Sequence, residues 1–124
     1  MIVQRLGADH PRHLRLLNEL FAVAFRRADW PRALDHAREV HERIRARMGD
    51  AHVSTPVTLL NWGRALSEAG RPAEALEKVR PAHAQLERLL GANAPQAQDA
   101  TFVLALTLLD LGRTAEAEPL VERL

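Results

Sequence analysis

The chain has 124 residues, 47% hydrophobic and 27% charged, with a formal net charge of +1. That is enough for one domain with a real core, and too little net charge to draw the chain to nucleic acid or an anionic membrane. It has no cysteine, which excludes disulfides and thiolate metal sites. No run of about 18 apolar residues is present, so no membrane span is expected. Met1-Ile2-Val3-Gln4-Arg5 lacks the long apolar stretch of a signal peptide, which makes the cytoplasm the default location.

An internal repeat organises the chain. Leu6-Gly7-Ala8-Asp9-His10-Pro11 recurs as Met48-Gly49-Asp50-Ala51-His52-Val53 and as Leu90-Gly91-Ala92-Asn93-Ala94-Pro95, each 42 residues after the last. Ala33, Ala75 and Ala117 keep the same spacing, each just after a break in the pattern. The units are 6–47, 48–89 and 90–124 of a single repeat domain over residues 1–124, and residues 1–5 read as the end of a preceding helix.

Each unit predicts two helices. Helix A of unit one starts at Pro11, where proline is tolerated, and runs to about Arg27. Ala28 stands where the later units have a helix-ending glycine. Helix B follows from Asp29, a plausible N-cap, with Pro31 in its first turn, and runs to about Arg47. In unit two, helix A starts near Pro56 with Ser54 or Thr55 as cap and ends at Gly70; helix B runs from Pro72 to about Leu89. In unit three, helix A runs from Pro95 to about Leu111, Gly112 ends it, and Thr114 is the plausible cap of a shorter helix B.

Apolar spacing agrees with this reading. Leu17, Leu20 and Ala24 fall at i, i+3 and i+7, as do Leu59, Trp62 and Leu66, and Thr101, Leu104 and Leu108. In helix B, Ala33, Ala37, Val40 and Ile44 form a stripe matched by Ala75, Val79, Ala82 and Leu86. Such stripes face neighbouring helices. Trp30 and Trp62 fall at packing positions. Pro81, in the middle of helix B, removes one backbone hydrogen bond and predicts a kink that re-aims Leu86.

Leu-Gly-x-Asp-His-Pro, then Leu-Asn-x-Leu in helix A, then Gly-Arg-x-x-x-Ala resembles the 42-residue tetratricopeptide repeats of kinesin light chains. Similar repeats are widespread in bacterial signalling proteins. The matching residues include Leu6, Gly7, Asp9, His10, Pro11, Leu17, Asn18 and Leu20 in unit one, and Gly70, Arg71, Glu74 and Ala75 in unit two. In unit three they include Gly112, Arg113, Glu116 and Ala117. The resemblance implies an all-α solenoid of about three antiparallel helical hairpins in a right-handed superhelix. It also implies a protein-interaction module, not an enzyme, without cofactor or metal, holding an extended peptide or helix on the concave face lined by helix A.

On that resemblance the groove residues are Arg15, Asn18, Ala22, Phe25 and Arg26 in unit one. In unit two they are Val57, Leu60, Asn61, Arg64 and Ser67, and in unit three Asp99, Phe102, Val103, Leu106 and Asp110. An asparagine can hold a peptide backbone whatever its sequence, and Arg15, Arg26 and Arg64 can pair with carboxylates. The alternative role for Asn18 and Asn61 is bonding between neighbouring helices. Phe21, where a small residue is usual, predicts looser packing in the first hairpin.

Residues 101–111, TFVLALTLLDL, are apolar on almost every face and predict burial all round. Three readings stay open: the chain is a piece of a longer array, it forms a homo-oligomer through Phe102, Val103 and Leu106, or those residues form the ligand pocket. No phosphate-binding glycine loop, metal-ligand set or catalytic triad stands out. Arg38, Arg43, Arg45 and Arg47 interleave with Asp35, Glu39 and Glu42, which reads as a solvated face and not a nucleic-acid surface.

Overall fold

The computed structural model describes residues 11–124. Residues 1–5, read as the end of an earlier helix, and the first Leu-Gly-x-Asp-His loop lie outside them. Six helices follow in order: α1 Pro11–Arg26, α2 Trp30–Met48, α3 Ser54–Glu68, α4 Pro72–Leu90, α5 Pro95–Asp110 and α6 Thr114–Arg123. Each pairs with the next, and α3 also touches α5. The result is an all-α solenoid of three antiparallel hairpins, α1/α2, α3/α4 and α5/α6, as the resemblance implies.

The tight A-to-B turns are built alike. The Asp29 N–H donates to the Ala24 carbonyl at 2.9 Å, Arg71 to Leu66 at 2.9 Å and Arg113 to Leu108 at 2.8 Å. The preceding residue in each turn bonds three residues back, to Phe25, Ser67 and Leu109. This pair of bonds is the Schellman motif, which needs a left-handed residue. Gly70 and Gly112 supply φ values of 80° and 73°. Ala28 takes φ 55° in the same place, a conformation costing an L-residue about 1–2 kcal/mol.

The caps differ in part from expectation. Asp29 accepts the Arg32 N–H at the start of α2. Neither Ser54 nor Thr55 caps α3, whose cap position is Val53; the Thr55 hydroxyl instead donates to the Gly49 carbonyl at 2.6 Å and ties down the inter-repeat loop. Thr114 is the first residue of α6, after Arg113.

The B-helix stripes are core: Ala33, Ala37, Val40, Ala75, Val79, Ala82 and Leu86 are buried, with Ile44 half-buried. Helix α4 continues through Pro81 to Leu90 with Leu86 fully buried. The proline ring points to solvent, so it costs a hydrogen bond without displacing the core face.

In α1 the buried stripe is Leu14, Leu17, Phe21 and Ala24, and Leu20 is exposed. Phe21 fits because Ala24, Ala33, Ala37 and Ala65 surround it, and its ring leads to Phe25 at 5.8 Å and on to Trp30 at 5.3 Å. Trp30 and Trp62 are half-buried against this cluster, with the Lys78 ammonium 4.2 Å above the Trp62 ring. Helix α5 buries eight residues. Its buried Thr101 and Thr107 donate to their own helix, to Ala97 O at 3.0 Å and Val103 O at 2.8 Å, so neither hydroxyl is orphaned.

Candidate functional site

Helices α1, α3 and α5 contribute to one face, and the crevice between α1 and α3 opens on it. There a pocket of about 490 Å³ is lined by Leu14, Val40, Ile44, Met48, Val53 and Val57, with Arg15, Asn18, Arg47 and Asn61 among its polar groups. No acidic residue lines it among the described residues. Farther along the same crevice, Phe21, Ala22, Phe25, Arg26, Asn61 and Arg64 line a second hollow of about 190 Å³. Asn61 belongs to both.

The repeat explains why the larger pocket is open. Forty-two residues on, its lining residues Asn18, Val40, Ile44, Thr58 and Asn61 become Leu60, Ala82, Leu86, Ala100 and Val103, which are solid core. Leu60 fills the space between α3 and α5 that the shorter, polar Asn18 leaves empty between α1 and α3.

The structure thus brings Arg15, Asn18, Val57 and Asn61 into one pocket and places Arg26 in its extension. Among the described residues Arg15 and Arg26 have no ion-pair partner. Two residues assigned to the exposed groove or open end are corrected. Leu60 is 3% exposed and Val103 is 5% exposed, both packed with Val79, Ala82, Leu86 and Leu104. The reason is that each A helix buries one side against its own hairpin and another against the next unit.

Arg64 pairs with Asp99 at 2.7 Å, and Ser67 donates to Asp110 at 3.3 Å. These contacts clasp α3 to α5 and neutralise the charge of both Arg64 and Asp99 on that stretch. Phe102 and Leu106 are exposed but line neither hollow. On the other side of the molecule, Arg43 pairs with Glu39 at 2.9 Å and Arg45 with Asp50 at 2.7 Å, so the basic run on α2 is broken up by acids.

Two inter-repeat contacts escaped the sequence reading. His41 Nδ1 lies 3.0 Å from the Thr58 hydroxyl, and His83 Nε2 lies 3.0 Å from that of Thr101. Each hydroxyl is 3.0 Å from a carbonyl of its own helix, Thr55 and Ala97 respectively, to which it donates. Each imidazole nitrogen is then the donor to the hydroxyl oxygen. The signal was available: His41 and His83 sit one repeat apart, and a shift from Nδ1 to Nε2 accommodates the one-residue offset of the threonines.

Burial, followed by the nearby Arg45, holds the His41 pKa below its ordinary value of 6.5. Burial also lowers His83, although Glu87 at 3.4 Å opposes the shift. The unfolded chain therefore takes up these protons first, at about pH 6.5, and stability contributed above that pH is lost as pH falls toward the folded values. We expect the melting temperature to drop between pH 7.5 and pH 5. A His41→Gln/His83→Gln variant should show a flatter profile in the same calorimetric series.

Comparison with known proteins places this geometry in a family. No helix among the described residues is long and apolar enough to cross a membrane. Two solved structures of the nearly identical TPR-like repeats assigned to a kinesin light chain of Podosopora anserina superpose closely. One, a single-substitution variant, has a TM-score of 0.81 at 23% identity over 98% of this chain. The other has a TM-score of 0.79 at 23% identity over 97% of it. The present chain spans 57% of the length of either, and at that identity the likeness concerns the fold. No curated protein matches. The tetratricopeptide repeat family model matches residues 54–124. Repeats of this kind are generally protein–protein interaction modules and typically non-enzymatic scaffolds. With more than half of its length matched and the whole described chain folded as A/B hairpins, the protein belongs to the tetratricopeptide repeat family.

Proposed function

We propose that the chain acts by binding, holding an extended peptide in the crevice between α1 and α3. The carrying observation is that one residue, Asn61, borders both hollows of that crevice. Its amide can both donate to and accept from a peptide backbone lying across it. The larger pocket lies within the size range of small-ligand sites, and its floor is aliphatic. Arg15 at its rim favours a peptide that places an aliphatic side chain in the pocket and a carboxylate beside it.

Asn18 provides the test. Asn18→Leu puts into the first crevice the side chain that fills the second. It should raise stability, by about 1 kcal/mol as a cavity-filling change, and abolish enrichment of peptides from a random library. Arg15→Ala/Asn61→Ala should lose the same peptides with its helical content unchanged. Undiminished enrichment in both variants would place the ligand elsewhere.

A further inference from the structure

We propose that Met48 is an oxidation site that weakens the crevice for its ligand, a peroxide converting the thioether to the sulfoxide and a reductase restoring it. The inference rests on the peptide-binding reading above and adds its regulation.

Met48 is the last residue of α2 and lines the large pocket together with Ile44, Val53 and Val57. It is 41% exposed, so a small oxidant reaches the sulfur without any opening of the fold. The chain has no cysteine and two methionines, the other being Met1. A peroxide therefore meets no competing thiol, and Met48 is the one oxidisable sulfur among the described residues.

The repeat shows that packing does not call for sulfur at this position. Leu6 stands one repeat before Met48 and Leu90 one repeat after it. Leucine and methionine exchange at nearly constant volume, so a leucine here would serve the helix end equally well. The thioether also falls beside the junction that is open. At the next junction Leu60 fills the corresponding space.

In the forward step the peroxide O–O bond breaks and one oxygen bonds to Sδ. The other oxygen leaves as water, so the sulfur is oxidised and the peroxide reduced. In the return step a methionine sulfoxide reductase removes the oxygen as water, and its own dithiol becomes a disulfide. The sulfoxide turns a flexible apolar side chain into a polar one. In the free protein the new oxygen keeps its water, so the fold is not disturbed. When a ligand's aliphatic side chain enters the pocket, that water is lost and the side chain offers no hydrogen bond in return. Burial of this kind opposes binding.

The test uses the full 124-residue chain and a peptide selected from a random library. The chain is treated with hydrogen peroxide, and peptide mapping by mass spectrometry follows the gain of one oxygen at Met48. Affinity for the selected peptide should fall by about tenfold or more, with circular dichroism unchanged. Treatment with methionine sulfoxide reductases should restore it. A Met48→Leu chain should have the same affinity before and after peroxide. The proposal is overturned by a Met48 that stays unoxidised, or by a Met48 sulfoxide chain that binds as tightly as the untreated one. It is also overturned by a Met48→Leu chain that loses as much affinity to peroxide as the parent. In those cases a peptide lost in Asn18→Leu leaves the crevice reading standing. A library that yields no peptide, or only peptides indifferent to Asn18→Leu, sinks the crevice reading and this one with it.

Discussion

Leu60→Ala should destabilise the protein by about 3 kcal/mol, within the range for buried leucines, and lower its melting temperature by roughly 10 °C for a domain of this size. Leu60 touches both sides of the second junction. It lies on α3 but packs with Val79, Ala82 and Leu86 of α4 and with Ala97, Ala100, Val103 and Leu104 of α5. Truncation leaves a cavity that Ala97 and Ala100 are too small to fill. The same change at a groove-lining leucine would leave stability nearly untouched and act on ligand affinity alone. Thermal denaturation of the single variant therefore decides between the two placements. The repeat-equivalent Asn18→Ala, at an exposed position, should move the melting temperature by only a degree or two for a surface-scale change.

Gly63→Ala should cost up to about 2 kcal/mol net, although alanine is the better helix former. Gly63 is buried within α3, facing α4. A Cβ there would meet Val79 Cγ2 inside van der Waals distance, with Lys78 Cβ at 3.3 Å and the Ala75 carbonyl at 3.4 Å. Valine has little χ1 freedom in a helix, so α3 and α4 must move apart. Overpacking of this kind costs about 1–3 kcal/mol, against a gain of about 1 kcal/mol from replacing a helical glycine. A double-mutant cycle isolates the contact. In a Val79→Ala background the substitution should lose most of its cost, because Cγ2 is gone. Stabilisation by Gly63→Ala in the parent chain would mean that the two helices are not in such close approach.

The architecture was legible because it is written in turns. Glycine at 70 and 112, proline at 11 and 95, and alanine at 33, 75 and 117 keep a 42-residue register, and those residue types are set by turn geometry and close helix packing. The phase of individual faces was less legible. In α1, Leu20 and Phe21 are adjacent and both large, and spacing alone chose Leu20 where the fold buries Phe21. Leu60 and Val103 were missed as core because an A helix in a stacked array buries two faces, and a single apolar stripe accounts for only one.

Part of the candidate site could be read and part could not. Arg15, Asn18, Val57 and Asn61 meet in the crevice. The pairing of Arg64 with Asp99 depends on a separation of 35 residues, which no local pattern reveals. The pocket floor, Val40 and Ile44, was read as helix-packing surface. Val40 is indeed buried and Ile44 half-buried; the space beside them stays open because Asn18 occupies a position that is leucine one repeat later. That polar residue in an apolar repeat column was the clue to the opening. The histidine contacts left a similar clue in the spacing of His41 and His83.

The most direct test of the binding assignment is to map, by amide chemical-shift perturbation, where a library-selected peptide touches the isotope-labelled chain. The account predicts shifts concentrated at Arg15, Asn18, Val57 and Asn61, extending toward Phe25 and Arg26, and their loss in Asn18→Leu. Shifts centred on Phe102, Leu106 and Val121, with the α1/α3 crevice silent, would contradict it.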